Sequence, residues 1–193
     1  KLINGDSKKL KDLIEINKFS KDPRKEPNKE FIYVDIESVD KGTGIVNYDQ
    51  KILGSNAPSR ARRIAPVNST IISTVRPNLR GFTFKSDKIE CIYSTGFAIL
   101  QSKDEEILNN KVIYYSFMYS TALMKEMSNT MHGGSYPSLN KKDIENFKIP
   151  VPSIEKQREI IKEIDKLEKR KITNQKIINS ATENKDAIIE KHL

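Results

Sequence analysis

Five of the chain's eight arginines fall in one stretch: Arg60, Arg62, Arg63, Arg76 and Arg80. Lys51 and Lys85 flank them, and no Asp or Glu occurs from Lys51 to Lys85. An arginine carries a planar fork of N–H donors that fits phosphate oxygens and the guanine edge in the major groove. An acid-free run of arginines is therefore chemistry for a polyanion. Its seven positive charges nearly equal the net charge of the whole chain, 34 − 26 = +8. The alternative is a solvated positive face. The bias to Arg and the interleaved turn residues favour a polyanion partner. A membrane surface fits less well, because the segment shows no amphipathic helical period.

Other reactive residue types are sparse. The single Cys91 excludes an intramolecular disulfide framework and a Cys-rich zinc site, and with only His132 and His192 a multi-histidine metal site is excluded too. A reducing cytoplasm is the expected setting. Cys91 lies in a strand-like run and reads as a small buried hydrophobe. His132 stands beside Gly133-Gly134 with no evident Cys or Asp partner in the pattern, so binding in a loop, or loop packing, is favoured over catalysis. Gly42-Thr43-Gly44 is too short for a nucleotide-binding phosphate loop and lacks the later Gly and the Lys-Ser/Thr. No Asn-Pro-Pro-Tyr or Asp-Pro-Pro-Tyr segment of an amino-methyltransferase occurs, and no nuclease-like pair of acids with a Lys stands out.

The elements that must hold these residues are legible in outline. With 36% hydrophobic and 31% charged residues, 193 residues suffice for one modest core and are too apolar for a wholly disordered chain. No apolar run reaches the roughly 18 residues of a membrane span, and the polar start shows no secretory signal. The missing initiator Met reads as a trimmed or internal piece. Leu10, Leu13 and Ile14 predict a short amphipathic helix within 7–19, capped by Ser7. Pro23 and Pro27 among charges predict a loop over 20–30. Strands are predicted at 31–36, 45–48, 70–75, 81–84, 91–93 and 96–100, where β-branched and aromatic runs lie between turn residues. Val112, Tyr115, Met118 or Tyr119, and Ala122 or Leu123 predict a core-facing helix over 108–131, broken by the segment from Met131 to Leu139.

From Ser153 the chain changes texture and runs to its end without Gly or Pro. Ile160, Ile164, Leu167, Ile178, Ala181 and Ile188 share one register of alternating four- and three-residue steps, which also passes through Lys171, Asn174 and Lys185. This is a heptad seam with polar interruptions, about 60 Å long if helical throughout. Such a helix, with 18 charged residues and one apolar stripe, needs a partner. A helix that packs on its own domain is the alternative. The fold class is thus α+β, a β-rich domain with packed helices over 1–152 followed by a long coiled-coil helix over 153–193.

Four stretches together resemble the specificity subunit of type I restriction-modification systems. They are Tyr33-Val34-Asp35-Ile36-Glu37-Ser38-Val39-Asp40-Lys41-Gly42; Ala57-Pro58-Ser59-Arg60-Ala61-Arg62; Ile71-Ile72-Ser73-Thr74-Val75-Arg76-Pro77-Asn78-Leu79-Arg80 with Ser94-Thr95-Gly96-Phe97; and Gly133-Gly134-Ser135-Tyr136-Pro137 with Asp143-Ile144, Phe147-Lys148-Ile149-Pro150-Val151-Pro152 and Glu155-Lys156-Gln157. The resemblance spans almost the whole chain. It implies a DNA target-recognition domain that reads one half of a split double-stranded DNA site, followed by a spacer and dimerisation helix. It implies no catalytic centre and no cofactor in this chain. S-adenosylmethionine and ATP would belong to its partners, the adenine methyltransferase subunits and the restriction subunit. Such subunits usually carry two recognition domains; this sequence holds one domain and one long helix. It therefore resembles half of a longer subunit, or a half-length subunit that pairs with itself. The same module also occurs fused to some type II enzymes.

On this reading Lys51, Arg62, Arg63 and Lys85 contact phosphates, which position without reading sequence. Arg60, Arg76, Asn78 and Arg80 read base edges, with His132 and Ser135 as further candidates. Arg76 precedes Pro77, which favours an extended backbone and leaves a strand-end structural role open. The Gly133–Pro137 turn likewise has a purely structural alternative. A different class of function is a non-catalytic interaction or regulatory protein acting through the coiled-coil helix.

Overall fold

The computed structural model describes residues 7–192; in the last helix the side chains of 183, 186–188 and 190–192 lie outside the description. The chain divides after Ile154 into two compact units.

Among the described residues three sheets build the first unit. Strands β1 (Ser7–Lys9), β2 (Ile14–Ile16), β3 (Phe19–Ser20), β4 (Glu30–Val34), β5 (Lys51–Leu53), β6 (Ala61–Ile64), β7 (Ser69–Ser73), β8 (Phe82–Lys85), β9 (Cys91–Ser94), β10 (Phe97–Ser102) and β11 (Lys148–Pro150) are joined by helices α1 (Leu10–Leu13), α2 (Asn110–Tyr119), α3 (Thr121–Thr130) and α4 (Lys141–Asn146). An antiparallel four-stranded sheet has the order β2-β10-β7-β8, and a five-stranded sheet has the order β3-β6-β9-β4-β5. In the second sheet β4 and β9 run parallel, and β1 pairs with β11 separately.

The period of two in the strands decides what lies where. Val34, Cys91 and Tyr93 from one sheet meet Ile71, Phe97 and Ile99 from the other, so the main core lies between the sheets. Phe31, Tyr33 and Ile92 point the opposite way and pack with Ala57 and Ala61. On the outer face of the four-stranded sheet lies α2. Its Phe117 meets Phe82 edge-on at 6.1 Å, and the Thr70 hydroxyl donates to the Asn110 carbonyl at 2.8 Å. The Cys91 thiol is pushed up by burial.

The α+β class and the long C-terminal helix match the expectation, and several elements differ from it. The expected 7–19 helix shrinks to the four residues of α1, because Ser7–Lys9 is taken up by β11 and Ile14–Ile16 by β10. Ser7 is thus a strand residue and caps nothing. No strand forms over 45–48: Asp40 N–H donates to the Ile45 carbonyl and Asn47 N–H to the Ser38 carbonyl, so the backbone there closes a turn. The expected single helix over 108–131 is two helices. Ser120 is extended between them, and its hydroxyl accepts from Leu123 N–H to cap α3. β5, β6 and α4 were not anticipated, and α4 is closed by a capping box of Asn140 and Asp143.

The second unit consists of the helix α5 (Ile154–His192), 39 residues long, from its second residue onward. Of the expected seam, Ile160 and Ile164 are half-buried and Leu167, Ile178 and Ala181 are exposed, while the side chain of Ile188 lies outside the description. Among the described residues no helix is long and apolar enough to cross a membrane.

Phe82 is fully buried where sheet and α2 meet. Phe82→Ala should cost about 3–5 kcal/mol, read as a lower urea midpoint with an unchanged m-value.

Candidate nucleic-acid interface

The exit of β7 gathers the segments that carry the predicted residues. Thr74 donates twice to the Gly96 carbonyl, from its N–H at 2.8 Å and its hydroxyl at 2.9 Å, and its own carbonyl accepts from Leu139 N–H at 2.8 Å. Arg76 N–H donates to the Pro137 carbonyl at 2.8 Å. The loop 132–138 is closed at its base by paired backbone bonds between His132 and Ser138. Gly42 N–H donates to the Arg80 carbonyl at 3.1 Å, and Thr95 N–H to the Arg60 carbonyl at 2.8 Å. The Pro77–Leu79 turn packs on α3.

These ties surround a cleft of about 550 Å³, lined by Glu37, Lys41, Arg60, Ser73, Arg76, Leu79, Tyr136 and Ser138 among others. Arg76 is its best-defined feature. The guanidinium lies 4.6 Å from the centre of the Tyr136 ring, and Nη2 donates to the Ser135 carbonyl at 3.0 Å. A cation over an aromatic face is attracted by the ring quadrupole. Arg76 is not extended as its place before Pro77 predicts. It is left-handed with φ +47°, and Arg80 has φ +54°. The proline ring disfavours the right-handed helical region for Arg76 but leaves this one accessible, and the bonds to Pro137 and Leu79 hold it there. Two non-glycine residues in this region store roughly 1–2 kcal/mol each.

The predicted set separates. Arg60 and Arg76 line the cleft, exposed Asn78 and half-buried Arg80 lie on the turn beside it, and Ser135 meets Arg76 through its carbonyl. His132 is exposed, with Nε2 3.3 Å from Asp143 Oδ1, a partner the sequence pattern did not reveal; the pair ties the loop base to α4. The phosphate candidates lie elsewhere. Lys51 is exposed on β5 with its ammonium 3.1 Å from Glu30. Arg62 on β6 reaches Asp22 at 3.2 Å, and burial works against the charge of its neighbour Arg63.

Lys85 departs from expectation altogether. It is 3% exposed, and its ammonium contacts Asp87 at 2.5 Å and the Ile89 carbonyl at 2.6 Å and stacks 5.1 Å from the Tyr48 ring. Burial raises the Asp87 carboxyl, but the bonds from Lys85, Ile89 N–H and Tyr48 outweigh it and hold the group below its ordinary value. A cation spent in this way is structural, and the acid-free stretch concealed it because Asp87 lies just past its end.

Glu37, Lys41 and Tyr136 line the cleft without having been assigned a role. The signal for Glu37 was local: Asp35 caps the turn Ile36–Ser38 with a reciprocal Ser38 bond, which presents Glu37 outward. Gly96 permits that turn to approach, since a Cβ there would lie 2.6 Å from Ile36 Cδ1. Among the described residues no group of three or more His, Cys, Asp or Glu is placed to hold a metal.

A family model described as Type I restriction modification DNA specificity domain matches residues 4–183. The chain belongs to this family. The specificity-domain fold is also seen in two solved structures, each 28% identical over 97% of this chain. One, from work on complex assembly and conformational transition of the type I R-M system, aligns with a TM-score of 0.79. The other, the HsdS subunit from Thermoanaerobacter tengcongensis, aligns with a TM-score of 0.78. This specificity-domain chain spans about half the length of each, 48%.

Two outcomes follow for the charges. Lys85→Met should lower stability by about 2 kcal/mol, the low end for a charged hydrogen-bond set because Asp87 can rehydrate. The salt dependence of DNA binding should stay unchanged; a log–log salt slope reduced by about one would instead mark a phosphate contact. The Arg24 side chain, hydrogen-bonded at 3.1 and 3.0 Å, holds the Asp22 carboxyl down at about 2, with Arg62 adding to it. A depressed carboxyl contributes fully above its unfolded value near 4 and loses that contribution as pH falls toward 2. Asp22→Asn should therefore flatten the acid limb of thermal stability between about pH 4 and 2.

Proposed function

We propose that the first unit reads one half of a bipartite double-stranded DNA site and that α5 is a spacer. That helix would pair with the helix of a second recognition domain or of a second copy. In this reading the chain is a non-catalytic specificity subunit that docks adenine methyltransferase subunits and, through them, a restriction subunit. S-adenosylmethionine and ATP bind to those partners, and the setting is the cytoplasm. The observation that carries the reading is the cleft at the exit of β7. Two arginines from separate segments line it, and one of them is oriented by an aromatic face and a carbonyl. Side chains held this way at a surface suit base-edge readout, whereas flexible surface cations suit phosphates. Family membership supports the same assignment.

The exposed seam residues Leu167 and Ile178 on α5 support a helical mate. A helix of this length with one unpaired apolar stripe gains most of its stability from packing.

Mapping adenine methylation in cells that carry this chain with its methyltransferase subunits tests the assignment. A new split motif is expected, with two inverted equal halves for self-pairing or unequal halves for a second recognition domain. No new methylation from a methyltransferase proven active would overturn it and favour an interaction protein instead.

A further inference from the structure

The cleft carries a charge that a phosphate site would not hold. Glu37 is 80% exposed and lines it together with Lys41, Arg60 and Arg76. A carboxylate accepts hydrogen bonds but cannot donate them, and it repels phosphate. Base edges differ, because the major groove presents donors beside acceptors. A cleft with guanidinium forks and a carboxylate is therefore suited to bases rather than to the backbone.

The arrangement narrows further. Arg76 is fixed by Tyr136 on one face and by Ser135 at one Nη2 hydrogen, and a guanidinium has five N–H donors in all. A fork wants two adjacent acceptors, which guanine offers at N7 and O6. On the same pair the next group along the groove is the cytosine amino group, a donor. An A·T pair offers instead acceptor, donor, acceptor and a methyl group, so its acceptors are not adjacent and the fork keeps one of its two bonds. Glu37 is poised to change partners. Its turn is fixed by the Asp35 cap, while its contact with Lys41 is a long, exposed 3.4 Å pair of the kind that contributes little.

We infer that this cleft reads a G·C base pair, with Arg76 donating to guanine and Glu37 accepting from the cytosine amino group. The inference rests on the DNA-reading assignment above and adds two specificity-determining residues acting as a pair.

The test uses the full chain with its methyltransferase subunits and compares genome-wide adenine methylation for wild type, Glu37→Ala, Glu37→Gln and Arg76→Lys. The wild-type motif should contain a fixed G·C pair. Glu37→Ala and Arg76→Lys should relax the same position, raising methylation at sites with another pair there about tenfold or more relative to the original sites. Glu37→Gln keeps a carbonyl acceptor and should retain most of the preference. Glu37 is exposed, so its variants keep the test decisive if Arg76→Lys disturbs the loop. A motif unchanged at every position in Glu37→Ala, with only a uniform change in level, overturns the pair readout, as does a motif without a fixed G·C. Absence of any motif with the wild-type chain overturns the DNA-reading assignment itself and this inference with it.

Discussion

Thr74 holds together what the rest of the cleft depends on. Through three hydrogen bonds it joins the end of β7 to the β9–β10 turn at Gly96 and to Leu139 beyond the helices. The partners are 22 and 65 positions away, so the contact closes long loops whose entropic cost must be met by the packed sheets beneath. Once it is made, Arg76 two residues on has little choice. Its N–H meets Pro137 and its guanidinium meets Ser135 and Tyr136. The left-handed backbone at Arg76 is the local cost of directing a fork outward from a strand end, and the paired sheets absorb it.

Charge is divided by burial. Lys85 sits on β8 next to the inter-sheet core and is neutralised by Asp87 at the point where β8 and β9 come together. A buried ammonium without that carboxylate would be strongly unfavourable, so it cannot also serve a ligand. Arg60 and Arg76 stand on turns and are exposed, so under the proposed reading they remain solvated until DNA takes the place of water. Tyr136 then matters more than its exposure implies. It restricts the Arg76 fork without consuming its donors, which lowers the ordering cost on binding.

The sequence disclosed most where a strand is buried on both faces. Ser69–Ser73 and Cys91–Ser94 are short apolar or β-branched runs between turn residues, and both are strands. It disclosed least where an element exists only through its neighbours. Ala61–Ile64 carries two arginines and shows no apolar run, but it pairs with β9 and β3, and the methylene stems of Arg62 and Arg63 accept partial burial there. Ile14–Ile16 continues a helical pattern but is claimed by the edge of β10. For the cleft, the acid-free arginine stretch located Arg60 and Arg76 but could not separate them from Lys85, since burial of one cation among seven is a tertiary property. Glu37 lay outside the stretch and reaches the cleft only because the Asp35-capped turn and the β9–β10 turn converge.

On the proposed reading the helix has a further part, because reading half a site is useful only at a defined distance from the other half. Under the proposed pairing, an apolar heptad seam alone permits slips of seven residues, each about 10.5 Å along the axis. That is about three base pairs at 3.4 Å each, a shift that would rotate one recognition domain roughly a third of a turn around the duplex. A uniform seam would tolerate such an error. Lys171 and Asn174 interrupt this one, and a slipped partner would bury them against Leu or Ile and leave them unsatisfied. The polar interruptions weaken the pairing and thereby define its register. In a spacer, stability is the quantity that can be given up, and register is the one that sets the gap between the half-sites.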